Sequence, residues 1–525
     1  MRRSWGLGAL GVLTALVTAC SSVVSGTPVA VQLTKAGPAG PVPAGLERFY
    51  GQPLSWGSCS RFAEDEISEQ LYGGRELDCA LLTVPIDYAQ PQGKTAQLGL
   101  LRKKATSQSG RVGAVVLNPG GPGESGMTAA ASIAKDNWTG ELGKRFDLVG
   151  FDPRGVGAST PRVKCLSDKE KDAERLEPPI EGADAVARIE KKNQEFAGKC
   201  AAATGKDLLA NVGTRDVARD MDVLRSVLGE QKLTYLGYSY GTRIGTAYAE
   251  AFPGNVRAMV LDGAVEANSD RVTQKVGQIN GFKKAFDEYA KSCAQKQTCP
   301  LGTDPAQAEA QLDKMLEPLK KQPLAVGDRQ MSYSDATIAV AQGLYSDQLW
   351  DPLTQGLQDL AKGKGGLLLR FSDFYQGRDD SGRYTGVMDA FTAIHCVDEP
   401  PVKDRAVVED ETRRVKAAAP PSPVEDEEDF QPALDTCAFW PVPNTGAPHE
   451  PKTAGLPKLL VISTTNDPAT PYQAGVNLAK SLGAGLLTVE GTRHTAYLQD
   501  ILCVDKLVDA YLIDLKQPAE GTKCS

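Results

Sequence analysis

One serine stands in a sequence context that is typical of an enzymatic nucleophile. The segment GYSYG at residues 237–241 matches the pattern G-x-S-x-G, whose glycines allow a tight turn between a strand and a helix. Such a turn projects the hydroxyl of Ser239 above a sheet, at the positive end of a helix dipole. A serine hydroxyl attacks a carbonyl only after a base has taken its proton. Ser239 is therefore the predicted nucleophile, and a Gly-Ser turn without chemistry is the alternative.

The base must be one of only three histidines in the chain. His494 lies in the segment GTRHT, directly after the last predicted strand at residues 486–489. In enzymes with the chain order Ser, Asp, His, the base follows the last strand of the sheet. His395 stands beside a cysteine and His449 lies in a proline-rich loop, so we expect structural or surface roles for both. His494 is the predicted base.

Two aspartates could orient the imidazole of that base and stabilise its cation. Asp467 follows a predicted strand at residues 459–463 and precedes His494 by about one helix and one strand. Asp262 follows the predicted strand at residues 257–261, an alternative position for the acid, although the favoured interpretation of Asp262 is a turn residue. We take Asp467 as the predicted acid.

Two backbone amides must stabilise the negative charge that develops on the attacked carbonyl. The residue after the nucleophile, Tyr240, supplies the first amide. The second is expected from the glycine-rich loop NPGGPGESG at residues 118–126, which follows a predicted strand at residues 114–117. Gly121 is the favoured donor and Gly120 the next candidate, while a plain glycine turn is the alternative.

The elements that must position these residues alternate between strands and helices. Residues 77–84 and 97–101 form a predicted antiparallel pair, and short apolar strands then alternate with helices such as 214–228 and 240–251. Short apolar strands between helices predict a mostly parallel sheet that is covered on both faces. The fold class is therefore α/β.

The alternation stops between residues 265 and 448, where the sequence is charged, helical in pattern and rich in proline. Two strand–helix units would need roughly 60–80 residues between the nucleophile and the acid, far fewer than this chain has. We predict a large, mainly helical lid inserted after strand 6. The core then comprises residues 46–264 and 449–525.

The first residues resemble an export signal. Arg2 and Arg3 precede an apolar run at residues 7–17, which is too short to span a bilayer of about 30 Å. The run ends in the segment VTAC, which resembles a bacterial lipobox and predicts a signal peptide at residues 1–19 with lipidation at Cys20. Ordinary cleavage is the alternative. Residues 20–45 are predicted to be a flexible tether, which places the protein at the outer face of the cell membrane.

Composition adds three further expectations. The chain has eleven cysteines, and the ten that remain beside Cys20 predict disulfides in an exported protein. Pairing of sequence neighbours is the simplest arrangement, although the sequence leaves the connectivity open. A net charge of −8 argues against a nucleic-acid partner. No two histidines have metal-ligand spacing, so neither a metal nor another cofactor is expected.

Together these motifs resemble the tripeptidyl aminopeptidase branch of the α/β-hydrolase superfamily, which belongs with the proline iminopeptidase-like serine peptidases. The likeness is strongest to actinobacterial, especially mycobacterial, cell-envelope hydrolases known as carboxylesterases or proteases. It covers nearly all of the mature chain and rests on the segments at 118–126, 146–157, 233–242, 393–398, 437–441, 464–471 and 491–495. The resemblance implies an α/β-hydrolase fold, the triad Ser239, Asp467 and His494, and oxyanion donors at Gly121 and Tyr240.

The first functional hypothesis is an exported serine peptidase that releases short peptides, such as tripeptides, from free N-termini. Such an enzyme needs carboxylates for the substrate ammonium, and the candidates are Glu124, Glu266 and Asp270. Glu124 departs from the family pattern, in which many relatives have glycine. Ordinary solvation is the alternative for all three residues, and for Glu124 a helix cap as well.

Two further hypotheses remain open at this stage. The same triad would serve a carboxylesterase or lipase, although the charged lid, with the run EDEED at residues 425–429, favours soluble or peptide substrates. A non-catalytic lipoprotein that uses the fold to bind partners is the third. Peptides or proteins are the expected substrates, and the sequence leaves the oligomeric state undetermined.

Overall fold

A computed structural model describes residues 32–34, 37–418 and 431–525 of the chain. The predicted signal peptide, Cys20 and the acidic run at 425–429 lie outside these residues. Within the described ranges, no helix is long and apolar enough to cross a membrane.

The strands, in chain order, are β1 (Gln32–Thr34), β2 (Leu54–Trp56), β3 (Leu77–Pro85), β4 (Thr95–Lys103), β5 (Gly113–Asn118), β6 (Phe146–Phe151), β7 (Leu233–Tyr238), β8 (Val256–Asp262), β9 (Leu324–Val326), β10 (Arg329–Met331), β11 (Leu460–Thr464), β12 (Gly485–Val489) and β13 (Lys523–Cys524). Nine of them form one sheet in the order β13-β12-β11-β8-β7-β5-β6-β4-β3. The pairs β3–β4 and β4–β6 are antiparallel, and the other pairs of this sheet are parallel. The predicted α/β fold with a mostly parallel sheet is confirmed.

The helices, in chain order, are α1 (Glu47–Tyr50), α2 (Glu66–Leu71), α3 (Gly126–Asp136), α4 (Gly140–Arg145), α5 (Asp168–Glu174), α6 (Ala185–Thr204), α7 (Lys206–Leu209), α8 (Thr214–Val227), α9 (Tyr240–Ala251), α10 (Arg271–Ala294), α11 (Ala308–Lys321), α12 (Tyr333–Leu344), α13 (Trp350–Leu360), α14 (Gly366–Gln376), α15 (Val387–Asp398), α16 (Arg405–Ala418), α17 (Tyr472–Leu482) and α18 (Leu502–Asp514). Helices α8, α9 and α17 cover one face of the sheet, and α3, α4 and α18 cover the other. Because both faces are covered, every residue of β5, β6 and β7 is buried.

The lid follows β8, the sixth strand of the nine-stranded sheet in chain order, as predicted. Helices α10–α14 surround their own hydrophobic core, whose centre includes Phe286, Tyr289, Leu312 and Leu353. The short hairpin of β9 and β10 belongs to the same unit. The lid is therefore a second packed body that lies on the sheet domain.

A second insertion, which the sequence analysis did not single out, carries α5, α6 and α7 between β6 and α8. It packs against α15 of the lid in a shared cluster that includes Val163, Leu209, Ile394 and Val397. Each part of this cluster carries a disulfide, Cys165–Cys200 in the insertion and Cys396–Cys437 in the lid. The α5–α7 insertion and α15 of the lid therefore pack together, although they are separate segments of the chain.

The predicted pairing of neighbouring cysteines is confirmed for all ten residues. The bonds are Cys59–Cys79, Cys165–Cys200, Cys293–Cys299, Cys396–Cys437 and Cys503–Cys524. Each bond closes a short loop within one part of the fold, which stabilises the chain by about 2–4 kcal/mol per bond through its effect on the unfolded state.

The predicted tether at residues 20–45 is wrong for its second half. Residues 32–34 pair with β2, and Ala39 is buried against α8. The amide of Ala39 donates to Ser226 Oγ at 3.0 Å, and Arg225 donates to the Ala39 carbonyl at 2.9 Å. Small residues give this segment the composition of a linker, but they also let its backbone approach a helix closely. The folded domain therefore begins before residue 46.

Candidate active site

Ser239 occupies the sharp turn between β7 and α9. Its backbone has φ +52° and ψ −124°, a conformation that costs an L-residue about 1–3 kcal/mol. Three hydrogen bonds hold the turn. The Ser239 amide donates to the Asp262 carbonyl at 2.8 Å, and the Ser239 carbonyl accepts from the Thr242 amide at 2.8 Å and from the Thr242 hydroxyl at 2.7 Å. The strained turn holds the serine at the N-terminus of α9.

The two glycines of the motif are required by the packing of this turn. A Cβ atom at position 237 would lie 2.5 Å from the Gly241 carbonyl oxygen. A Cβ atom at position 241 would lie 2.7 Å from the carbonyl oxygen of Asn118 at the end of β5. Larger residues would push the turn away from the glycine-rich loop at residues 118–126, which is called the oxyanion loop below. The motif therefore reflects steric limits as well as chemistry.

Asp467 and His494 form a close hydrogen-bonded pair. His494 Nδ1 lies 2.9 Å from Asp467 Oδ1 and 3.0 Å from Oδ2, and Asp467 is 2% exposed. The carboxylate also accepts hydrogen bonds from the amides of Ala469 at 2.9 Å and Thr470 at 2.8 Å, and from the Thr470 hydroxyl at 3.0 Å. This arrangement favours the tautomer with the proton on Nδ1, which leaves Nε2 to act as the base.

The end of β8 brings the Asp467–His494 pair near Ser239. Gly263 directly follows Asp262, whose carbonyl accepts the Ser239 amide, and a Cβ atom at Gly263 would lie 3.1 Å from His494 Cε1. The structure therefore places the three residues of the predicted triad at one edge of the sheet.

Asp262 supports the histidine loop instead of pairing with the imidazole. Its Oδ2 accepts hydrogen bonds from the amides of Ala496 at 2.9 Å and Tyr497 at 2.8 Å. These bonds hold a turn whose backbone is strained, as shown by the φ of +66° at Thr495, a residue with a branched side chain. Burial raises the pKa of Asp262 to about 6. Asp262 is therefore a buried support of the histidine loop, a position that its place after a strand did not predict.

The charge of the site raises the basicity of His494. Burial by itself would lower the pKa of His494, but the charge of Asp467, the hydrogen bond to Asp467 and the charge of Asp262 together raise it above 6.5. The carboxylates thus make the imidazole a better proton acceptor.

We expect kcat/KM to fall as the pH decreases through this raised pKa, because only the neutral imidazole can accept the serine proton. The Asp262→Asn variant loses one of the charges that raise the pKa of His494, so its acid limb should move to lower pH. A pH–rate profile with a p-nitrophenyl ester, recorded for the wild type and for the variant, measures the acid limb of each. Identical limbs in the variant and the wild type would contradict the electrostatic role of Asp262.

The oxyanion loop lies directly against the serine turn. A Cβ atom at Gly120 would lie 2.9 Å from Ser239 Cβ and 3.0 Å from the Tyr240 nitrogen. The amide of Gly120 donates to Asn118 Oδ1 at 3.0 Å, so it is already engaged. Within the described part of the chain, the amides of Gly121 and Tyr240 donate to no acceptor. The arrangement leaves the two predicted donors available for an oxyanion.

Comparison with known proteins agrees with this geometry. The alpha/beta hydrolase fold family matches residues 113–501, which include Ser239, Asp467, His494 and the glycine-rich loop at residues 118–126. The chain belongs to the α/β-hydrolase fold family. The fold and the resemblance inferred from the sequence are confirmed.

Three curated relatives align with most of this chain. "Serine protease Hip1" of Mycobacterium tuberculosis (strain ATCC 25618 / H37Rv) is 46% identical over 483 residues, which are 90% of this chain and 91% of the relative. "Carboxylesterase B" of the same strain is 44% identical over 474 residues, 90% of each chain. "Tripeptidyl aminopeptidase" of Streptomyces lividans is 30% identical over 472 residues, which are 86% of this chain and 84% of the relative. The protein is therefore a serine hydrolase.

The three carboxylates proposed for the substrate ammonium are separated in the hydrolase. Glu124 lies beside Gly121, since a Cβ atom at Gly121 would be 3.1 Å from Glu124 Cγ. Asp270 instead caps α10, where it accepts hydrogen bonds from the amides of Val272 and Thr273. Glu266 accepts a hydrogen bond from Asn477 at 2.8 Å. It lines a cavity of about 280 Å³ whose lining contains no triad residue. Only Glu124 lies with the predicted catalytic groups.

The other two histidines take no part in this arrangement. His395 stacks on Phe391 of α15, with ring centroids 6.3 Å apart, and desolvation lowers its pKa. His449 lies on the surface, with Nε2 2.8 Å from Glu250 Oε2 and Nδ1 2.9 Å from a backbone carbonyl oxygen. Both positions agree with the structural or surface roles expected from the sequence.

Two residues that contact the pair of Asp467 and His494, called the dyad below, had not been predicted from the sequence. Thr470 contacts Asp467 through its amide and its hydroxyl, and the spacing of three residues in the segment DPAT was a local signal for such a turn. Tyr345, from the lid, packs its ring against His494 with centroids 5.6 Å apart. No local pattern could have identified Tyr345, because 148 residues of the chain lie between Tyr345 and His494 and only folding brings the two together.

Proposed function

We propose that this hydrolase is a serine aminopeptidase that releases short peptides, such as tripeptides, from free N-termini. The observation that carries the proposal is the carboxylate of Glu124. Glu124 is accessible to solvent, but protein surrounds it closely enough that desolvation raises the pKa of its carboxyl. Among the described residues, no cation forms an ion pair with it. A substrate ammonium would supply the missing positive charge.

The position of Glu124 suits that role. Its loop lies beneath α15 of the lid, since a Cβ atom at Gly123 would be 2.6 Å from the Val387 carbonyl oxygen. The charge of Glu124 also reaches the phenol of Tyr345, whose pKa is raised by burial and by neighbouring tyrosine and carboxylate groups. The loop that carries Glu124 therefore lies against the lid, where the N-terminal part of a peptide would pass.

The reaction follows from the positions of the chain's own groups. His494 Nε2 takes the proton of Ser239, whose Oγ attacks the carbonyl carbon of the scissile bond. The amides of Gly121 and Tyr240 donate hydrogen bonds to the oxyanion. His494 then gives its proton to the leaving nitrogen, and the C–N bond breaks. A water molecule, deprotonated by His494, hydrolyses the acyl-enzyme and restores Ser239.

Replacing Glu124 by glutamine is expected to lower kcat/KM for a tripeptide anilide by about 10- to 100-fold. The reason is that a hydrogen bond to a charged group contributes about 1.5–3 kcal/mol, and about 1.4 kcal/mol corresponds to tenfold. The N-acetylated peptide and a p-nitrophenyl ester lack the ammonium, so their rates should stay unchanged. Steady-state kinetics with the three substrates measure the effect.

The matched control is Glu266→Gln, which changes a carboxylate that lines the separate cavity and already has a hydrogen-bond donor. We expect no change with any of the three substrates in this variant. Equal cleavage of free and acetylated peptides by the wild type would refute the aminopeptidase. An effect of Glu266→Gln that equalled that of Glu124→Gln would refute the assignment of the ammonium site.

A carboxylesterase is the second candidate, and the relative named carboxylesterase B, at 44% identity, favours it. The dyad and the oxyanion amides serve an ester as well as an amide. In that case the ester would be hydrolysed far faster than either peptide, and Glu124→Gln would change no rate. A binding protein without activity would hydrolyse none of the three substrates.

Export and lipidation are part of the proposal. The basic and apolar N-terminal segment and the lipobox-like VTAC support a signal peptide at residues 1–19 and lipidation at Cys20. The five disulfides support an oxidising location outside the cytoplasm. Mass spectrometry of the N-terminal peptide from the producing cell would identify a diacylated Cys20, and an unmodified residue would refute the anchor.

A further inference from the structure

We propose that the lid positions the catalytic acid and base, and that its contacts with their two loops persist through turnover. This inference rests on His494 acting as the base, and it holds for a peptidase and an esterase alike. The lid would then be part of the catalytic framework as well as a cover for the substrate.

The first contact joins the lid to the loop of the base. The segment 345–347, between α12 and α13, forms an antiparallel bridge with residues 492–494. The His494 amide donates to the Tyr345 carbonyl at 2.7 Å, and the Asp347 amide donates to the Thr492 carbonyl at 3.2 Å. The backbone of the catalytic histidine is therefore held directly by the lid.

Side chains strengthen the same contact. Arg493 Nη2 lies 2.9 Å from Asp347 Oδ1, with the arginine side chain only 15% exposed. The ring of Tyr345 meets the imidazole edge to face, at 5.6 Å between centroids. Tyr345 is held in turn by Phe282 of α10, at 5.5 Å between centroids. The ring of His494 is thus oriented by Asp467 from the core and by Tyr345 from the lid.

The second contact joins the lid to the loop of the acid. Helix α10 approaches this loop so closely that a Cβ atom at Gly281 would lie 2.5 Å from the Pro468 carbonyl oxygen and 3.1 Å from that of Asp467. One turn further along, Lys284 donates to the Thr465 carbonyl at 3.3 Å. The lid therefore contacts both members of the dyad through backbone atoms, which leave little room for adjustment.

The test compares two alanine substitutions on the same face of α10. Gly281→Ala must displace the loop of Asp467. Gly277→Ala, one turn earlier, would place its Cβ at an ordinary 3.4 Å from Pro471. Both changes improve helix propensity alike, so any difference between them reports on the loop. The substrates are a tripeptide anilide and p-nitrophenyl acetate, which is too small to need a peptide site.

We expect Gly281→Ala to lower kcat by about 10²-fold on both substrates, because small displacements of catalytic groups have effects of this size. The KM of the peptide should change little, and Gly277→Ala should behave as the wild type. A Gly281→Ala variant with an altered KM for the peptide and a normal rate on the ester would overturn the proposal. That result would show that the lid shapes only the substrate site.

A second variant tests whether the contact persists, and it remains informative if Gly281→Ala fails to fold. Ser346 and Arg493 are a non-hydrogen-bonded bridge pair, whose Cα atoms are typically about 4.5 Å apart, within the range for a disulfide. The S346C/R493C variant, with its new bond verified by peptide mapping, is compared with S346A/R493A. Equal or higher activity in the linked variant is expected. A loss greater than tenfold would show that the lid must separate there and would overturn the proposal.

Discussion

Replacing Ser239 by alanine is expected to lower kcat by about 10⁶-fold, the size of effect seen when the nucleophile of a serine hydrolase is removed. Alanine keeps the Cβ atom and therefore the contacts of the strained turn at φ +52°. Since the hydrogen bonds of this turn use only the backbone of residue 239, the variant should fold normally. The loss would then report on the hydroxyl alone.

Two measurements check this result. Hydrolysis of the p-nitrophenyl ester gives the rate. A fluorophosphonate probe, which phosphonylates an activated serine with loss of fluoride, gives the labelling stoichiometry. The matched control is Ser167→Ala, because Ser167 is an exposed cap of α5 whose loss costs about 1 kcal/mol of stability. Full labelling of the control and none of Ser239→Ala is expected. Unchanged hydrolysis by Ser239→Ala would require a different nucleophile.

The second large effect is expected for Asp467→Asn, at about 10⁴-fold in kcat. The amides of Ala469 and Thr470 both donate to Oδ1, so an asparagine at this position keeps its carbonyl oxygen there. The Thr470 hydroxyl, which donates to Oδ2 of the aspartate, can rotate to accept from the asparagine amide group. Its amide group would then donate to His494 Nδ1 and place the imidazole proton on Nε2. In that tautomer the ring cannot accept the proton of Ser239, so the base is lost while the packing is kept.

Asp262→Asn is the appropriate control, because Asp262 is an equally buried carboxylate near the same loop. Its acceptor bonds to Ala496 and Tyr497 can be kept by an asparagine oxygen, so we expect a loss of kcat below about tenfold, as for one weakened hydrogen bond. The ratio of the two losses, measured at the pH plateau of each variant, identifies the acid. Losses in the reverse order would assign that role to Asp262.

Much of this protein could be predicted from local sequence because the relevant constraints are local. The GYSYG segment needs its glycines for contacts within a few residues and with the end of the adjacent β5. Apolar runs such as 146–151 predicted buried strands, since both faces of a parallel sheet are covered. The neighbouring cysteines paired because each pair lies within one small part of the fold. Ser239, Asp467 and His494 each follow a strand of the predicted parallel sheet, so their positions predicted one common edge of that sheet.

The remaining features depend on contacts between distant segments. Glu124, Glu266 and Asp270 were all candidates for the substrate ammonium, yet Asp270 caps a helix and Glu266 lines a separate cavity. Only Glu124, in the loop at residues 118–126, lies with the predicted catalytic groups. Residues 37–45 have a linker composition but pack on α8. The insertion that carries α5–α7 shows no strand–helix rhythm, so its packing against α15 had no signal in the sequence.

Patterns along the chain were enough to predict the fold family, the serine turn and the order of the candidate catalytic residues. These features follow from short-range sterics and from the arrangement of successive strands. Two features emerge only from the packed molecule: Asp262 supports the histidine loop, and the lid contacts the loops of both Asp467 and His494. Tyr345 and Gly281 reach those loops from an insertion whose docking depends on surface shape. Shape of this kind arises only when the whole chain is packed, so no residue pattern along the chain could express it.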